Sequence, residues 1–189
     1  MRAARLRLPF MRFVMLMPYM TTDTITRLTE IPCPKRLLKV EIPADLQLAT
    51  FGLLTKLQQS TKEDDYVGTS LALVEALTDI PTKVLATLPA GDVLGVVNMV
   101  QKEMERIGKL FQSLNGDKTS EELAAGIDRL NFGAFGIVDW YAKRMGIIDH
   151  EEVFATPWAR IFQCMKIDHE NNEFEKRYRK VLEQRSKHK

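Results

Sequence analysis

His169 and Glu173 stand four residues apart in the run HENNE, which puts them one turn apart on a helix. A metalloprotease helix sets a second histidine at that fourth position, so that two imidazoles and a distant third ligand complete a zinc shell. Here the position holds glutamate, and no cysteine or histidine cluster stands ready to help. The run DHEE at 149–152 reads as a helix start instead: Asp149 caps, and Glu151 and Glu152 meet the positive helix end. The third histidine is His188. Two cysteines, Cys33 and Cys164, could close one bridge, but they make no disulfide framework and no metal knuckle. Cys164 sits beside Phe162 and Met165 and reads as a small core hydrophobe. No glycine-rich phosphate loop, nucleophile elbow or carboxylate pair can be located. These residues assign no catalytic, cofactor-binding or metal site, and the expectation is a protein that is not an enzyme.

The bulk of the chain agrees with an ordinary globular domain: 189 residues, 45% hydrophobic and 28% charged, enough for one domain with a real core. A net charge of +2, from 27 basic and 25 acidic residues, is too balanced for a nucleic-acid footprint. The basic close, KRYRKVLEQRSKHK, is interleaved with Glu175 and Glu183 and reads as a solvated helix end. The low cysteine count suits a reducing cytoplasm. The first twenty residues differ from the rest, with four arginines, no acid and five of the nine methionines. Arg12 and Pro18 interrupt their apolar run, no small-x-small cleavage site follows, and the run is short of the ~20 apolar residues of a membrane span. Residues 1–19 are therefore expected to be a weakly ordered upstream extension, with Met20 opening the functional chain and 20–189 forming a single helical domain.

Those few chemically interesting residues must be placed by helices. Residues 21–36, rich in threonine and punctuated by Pro32 and Pro34, predict an extended lead-in. Leu37 to Pro43 alternates Leu38, Val40 and Ile42 with Lys39 and Glu41, a strand signal; the expected partner is the segment 26–31, giving a two-stranded ribbon. From Ala44 on the pattern is helical. Leu48, Phe51, Leu54 and Leu57 form one stripe, and Leu71, Val74 and Leu77 a second. Pro81 opens a short helix that stops before Pro89. The run from Asp92 to Leu114 places Val93, Val96, Val97, Val100, Met104, Ile107, Phe111 and Leu114 on one face at a 3.6-residue period. Thr119 or Ser120, with Glu122, reads as a capping box. Leu123, Ile127 and Leu130 then mark a helix, and Phe132–Met145 continues to Gly146. Gly133 and Gly136, each about 1 kcal/mol less favourable than alanine in a helix, suggest close packing or a kink. The predicted fold class is mainly α, a multi-helix domain with a short N-terminal strand or two-stranded ribbon.

The last helical run, Thr156 to Arg185, carries two apolar stripes. At ~100° per residue, Trp158, Ile161, Phe162 and Met165 fall on one side, and Ile167, Phe174, Tyr178 and Val181 close to the opposite one. Either the helix breaks at DHENN (168–172), so that both stripes reach one core, or it is continuous and Phe174, Tyr178 and Val181 meet a partner.

From about Met20 onward the chain resembles the tail assembly chaperones of long-tailed bacteriophages and related prophages. The likeness lies in a threonine-rich start, a short strand and then small helices. It continues in LNFGAFGIVDWYAKRMGIIDHEEV, in a tryptophan at the start of a helix (TPWARIFQCM) and in the acidic-aromatic-basic close ENNEFEKRYRKV. The resemblance implies a non-enzymatic helper in the host cytoplasm, without cofactors, that oligomerises and coats the tape-measure protein or another helical tail protein. It would prevent aggregation before the tail tube polymerises. A permanent structural subunit of the virion, such as a connector or tail-completion protein, is the alternative.

Overall fold

The computed structural model describes residues 7–60, 65–116, 120–130 and 132–187. Within them ten α-helices and one two-stranded ribbon gather around a central helix, α6 (Ala90–Gln112). The fold class is mainly α with a short N-terminal ribbon.

The first half of α6 is buried on nearly every side: Val93, Leu94, Val96, Val97 and Val100 are all at most 1% exposed. A single apolar stripe does not predict this. The reason is that α1 (Phe10–Leu16), α4 (Tyr66–Thr78) and the segment 31–34 all press on it. A Cβ on Gly95 would collide with the carbonyl oxygen of Pro32, so a glycine is what lets the proline segment cross here. One turn on, the Asn98 amide donates to the carbonyls of Leu28 (2.7 Å) and Ile31 (3.3 Å). These close the end of α2 (Thr22–Leu28). Beyond Val100 the helix becomes amphipathic, with Ile107 buried and Gln101, Lys102, Glu105, Arg106 and Lys109 outside.

The expected weakly ordered extension is overturned for residues 8–19. Leu8 and Phe10 pair with the chain entering α6: the Phe10 N–H donates to the Leu88 carbonyl (2.9 Å) and the Ala90 N–H to that of Leu8 (2.8 Å). Phe10 and Phe13 are completely buried. The arginines and methionines conceal a short amphipathic helix whose two phenylalanines sit one turn apart on its inner face. Residues 1–6 lie outside the described residues.

The extended lead-in is also corrected. Residues 22–28 form α2, because Thr21 accepts from the Thr24 N–H (3.4 Å) and Asp23 pairs with Arg27 one turn on (3.0 Å). Cap and charge spacing outweigh the β-branched threonines. The ribbon therefore does not pair with 26–31. It folds back within the strand segment itself, β1 (Arg36–Leu37) antiparallel to β2 (Val40–Glu41), with Leu37 opposite Val40. Leu38 opens the two-residue turn at φ 54°, the left-handed value such hairpins need. That turn breaks the alternation: Leu38 is exposed and Leu37 is buried in its place, while Ile42 is buried as the alternation has it.

Helix α3 (Phe51–Ser60) starts later than its stripe suggests. Leu48 is 88% exposed, and Leu46 takes its place in the core. Helices α4 and α5 (Thr82–Leu85) follow, with Pro81 as N-cap of the latter. Ser120 falls at the start of α7 (Ser120–Ala124), while Thr119 lies outside the described residues. The helix expected through Leu130 breaks at Gly126, whose φ is 83°; Leu123 and Leu130 stay exposed. Then come α8 (Gly133–Met145), closed by left-handed Gly146, and α9 (His150–Ala155), capped by Asp149 through the Glu151 N–H (2.9 Å).

Candidate interaction surface

Helix α10 (Trp158–Lys187) is 30 residues long and runs without interruption through DHENN, about 45 Å at 1.5 Å per residue. Of the two alternatives, a break at DHENN or a continuous helix, the structure shows the continuous one. Its second apolar side therefore lies outside its own core.

Its root is held by a knot of contacts around Trp158. The indole N–H donates to the buried carbonyl of Leu46 (2.7 Å). The Leu46 N–H in turn donates to the Glu103 carboxylate (3.1 Å), which also accepts from Arg106 Nε (3.0 Å) and Nη2 (2.8 Å). The Arg106 guanidinium lies 5.8 Å from the Trp158 ring centre. Phe111, near the end of α6, packs edge-on against Phe162 (5.5 Å) and tilts against Trp158 (6.1 Å). Arg106 donating to it holds the Glu103 carboxyl below the usual carboxylate range, against the opposing pull of burial. On the other flank Arg144 of α8 forms an ion pair with Asp168. Sequence reading found Trp158 and Ile161 but missed Glu103 and Leu46, which are more than fifty positions away from Trp158 along the chain.

Beyond Asp168 the two faces of α10 exchange character. The side continuing from Trp158 carries His169, Asn172, Glu173 and Lys176, which border a polar crevice of about 260 Å³ reaching Gly116. The opposite side carries Ile167 (51% exposed), Phe174 (59%), Tyr178 (54%) and Val181 (44%), with Leu182 beside them. The Phe174 and Tyr178 rings stack with centres 6.1 Å apart and planes 10° from parallel. The candidate residues Phe174, Tyr178 and Val181 are thus brought onto one outward ridge. Ion pairs Lys166–Glu170 (3.7 Å), Glu173–Lys176 (2.9 Å) and Glu175–Arg179 (3.5 Å) brace the helix around it.

An apolar groove of about 290 Å³ lies elsewhere, between α3, α6 and α8, with Phe51, Leu54, Met104, Ile107, Phe111 and Ile137 in its wall. None of its lining residues titrates. His169 and Glu173 border the polar crevice, while His150 packs edge-on against Phe135 (5.3 Å). Among the described residues no three histidine, cysteine or acidic side chains could jointly hold a metal ion. Cys33 and Cys164 are free thiols, and burial pushes the Cys33 thiol up, away from nucleophilic use. Among the described residues no helix is long and apolar enough to cross a membrane. Compared with protein-family models, with curated proteins and with solved structures, the chain matches none of them.

Proposed function

We propose that this chain is a tail assembly chaperone of a long-tailed phage or related prophage. It acts in the host cytoplasm without catalysis. Its client is the tape-measure protein or a comparable long helical tail protein, and its task is to keep that client from aggregating before the tube assembles. The observation that supports the reading is the outward ridge of α10, where Phe174, Tyr178 and Val181 stand at helical spacing on a strut rooted in the core. An amphipathic client helix docks on such a ridge through its own apolar stripe, with the flanking charges as a polar rim.

The test is co-purification with a phage tape-measure protein produced in the same cells. Phe174→Ala combined with Tyr178→Ala should lower client recovery about tenfold or more, the size of an interface hot spot, with an unchanged melting temperature. Trp158→Ala is the control, since it should cost about 3–5 kcal/mol of core stability. Full client recovery by the double variant would defeat the proposal. Mass spectrometry of purified particles separates it from the structural-subunit reading, because a chaperone should be absent from the mature tail.

A further inference from the structure

The same ridge has a second property. Between Ile167 and Arg185 its positions recur at alternating steps of four and three: Ile167, Asn171, Phe174, Tyr178, Val181 and Arg185. That is the spacing of a two-stranded coiled-coil seam, with Asn171 and Arg185 as the polar residues among its inner positions. The charges along the same stretch are sharply divided. Residues 168–175 hold four acids and no lysine or arginine, while residues 176–185 hold five bases against Glu183.

We propose that the outward face of α10 pairs with the same face of a second copy of this chain, the two helices running antiparallel about a two-fold axis near Lys176. In this register Phe174 of each copy faces Tyr178 of the other, and Asn171 faces Val181. The acidic half of each helix lies along the basic half of its mate, within the ~8–10 Å over which exposed charges act at physiological salt. A parallel pair would instead lay acids on acids and bases on bases. The interface is isologous, as closed two-fold dimers require. The globular part of each subunit attaches at the far end of the other's helix, and the polar crevice side of α10 stays turned toward its own domain. The proposal shares with the chaperone reading only the premise that this ridge binds a helix. Client and second copy then compete for one surface, so the dimer is the form that shields Phe174 and Tyr178 until the client arrives.

Sedimentation and light scattering of the full chain, without any client, test it. The expected mass is twice the 21.6 kDa of the chain, falling to that of one chain on dilution and at raised salt. Phe174→Asp with Tyr178→Asp should give a monomer that melts as the diluted, dissociated wild type does. Reversing one half, by Arg177→Glu, Arg179→Glu and Lys180→Glu, should also give a monomer. Mixing it with the converse variant, Glu170→Lys, Glu173→Lys and Glu175→Lys, should restore a mixed dimer. A wild-type chain that stays monomeric at hundreds of micromolar overturns the proposal. So does a dimer that survives the aspartates, or one that survives charge reversal as a parallel pair would. A dimer that fails to capture client defeats the chaperone reading and leaves this one standing, and a monomer that captures client does the reverse.

Discussion

Single residues decide how closely the elements of this fold approach one another. Gly95 is a poor helix former in the middle of the central helix, and alanine there would ordinarily gain about 1 kcal/mol. Here the added methyl meets the Pro32 carbonyl, backbone that cannot swing aside. Gly95→Ala should therefore lower the melting temperature, at a cost of about 1–3 kcal/mol for overpacking, measurable by thermal denaturation; a gain in stability would show that the proline segment yields. Glu103 is the second case. Its carboxyl is held below the ordinary range in the folded chain by Arg106, so its contribution is complete above the unfolded pKa near 4.3. That contribution is lost as the pH falls through the lower folded value. Glu103→Gln should thus be less stable than wild type by about 1 kcal/mol at pH 7, the half-exposed arginine limiting the effect. The difference should narrow in titrations taken progressively below the unfolded value near 4.3. An equal gap at every pH would mean that the charge plays no part.

At the scale of elements, the segment before Met20 shows what sequence alone could and could not convey. The long helices were legible because their apolar residues repeat over many turns: Val93 to Ile107 needs no tertiary information to be recognised. Short elements lack that redundancy. α1 rests on two phenylalanines among arginines and methionines, and its worth comes from the Leu88–Ala90 backbone it pairs with. The hairpin turn uses leucine where asparagine or glycine would have announced it. The outward ridge was legible as a second stripe, but the continuity of α10 was not, because Asp168 to Asn172 are modest helix formers. Their helix is held by neighbours such as Arg144, far off in sequence. From the buried phenylalanines, Phe10→Ala or Phe13→Ala should cost about 3–5 kcal/mol each. Removing residues 1–19 should lower the melting temperature markedly, as calorimetry of the truncated chain would show. A truncated chain that melts with the wild type would return these residues to the status of an appendage.

For the whole molecule, the arrangement is a globular body around α6 with one long helix whose outer half carries its apolar side away from that body. Contacts that fix the direction of this helix are gathered at its root, in the Leu46–Glu103–Arg106 chain, the Phe111–Trp158–Phe162 cluster and the Arg144–Asp168 pair. The chain's two tryptophans both stand there, and each has a guanidinium 5.8 Å from its ring centre: Arg106 beside Trp158 and Arg144 beside Trp140. Trp158 is buried and Trp140 is half-buried. The protein therefore carries its own optical gauge of the joint: intrinsic fluorescence should show a bluer component from the enclosed indole and a redder one from the more exposed ring. Light absorbed at the base of the strut reports whether its attachment has shifted when something takes hold of the far end, without a label anywhere on the chain.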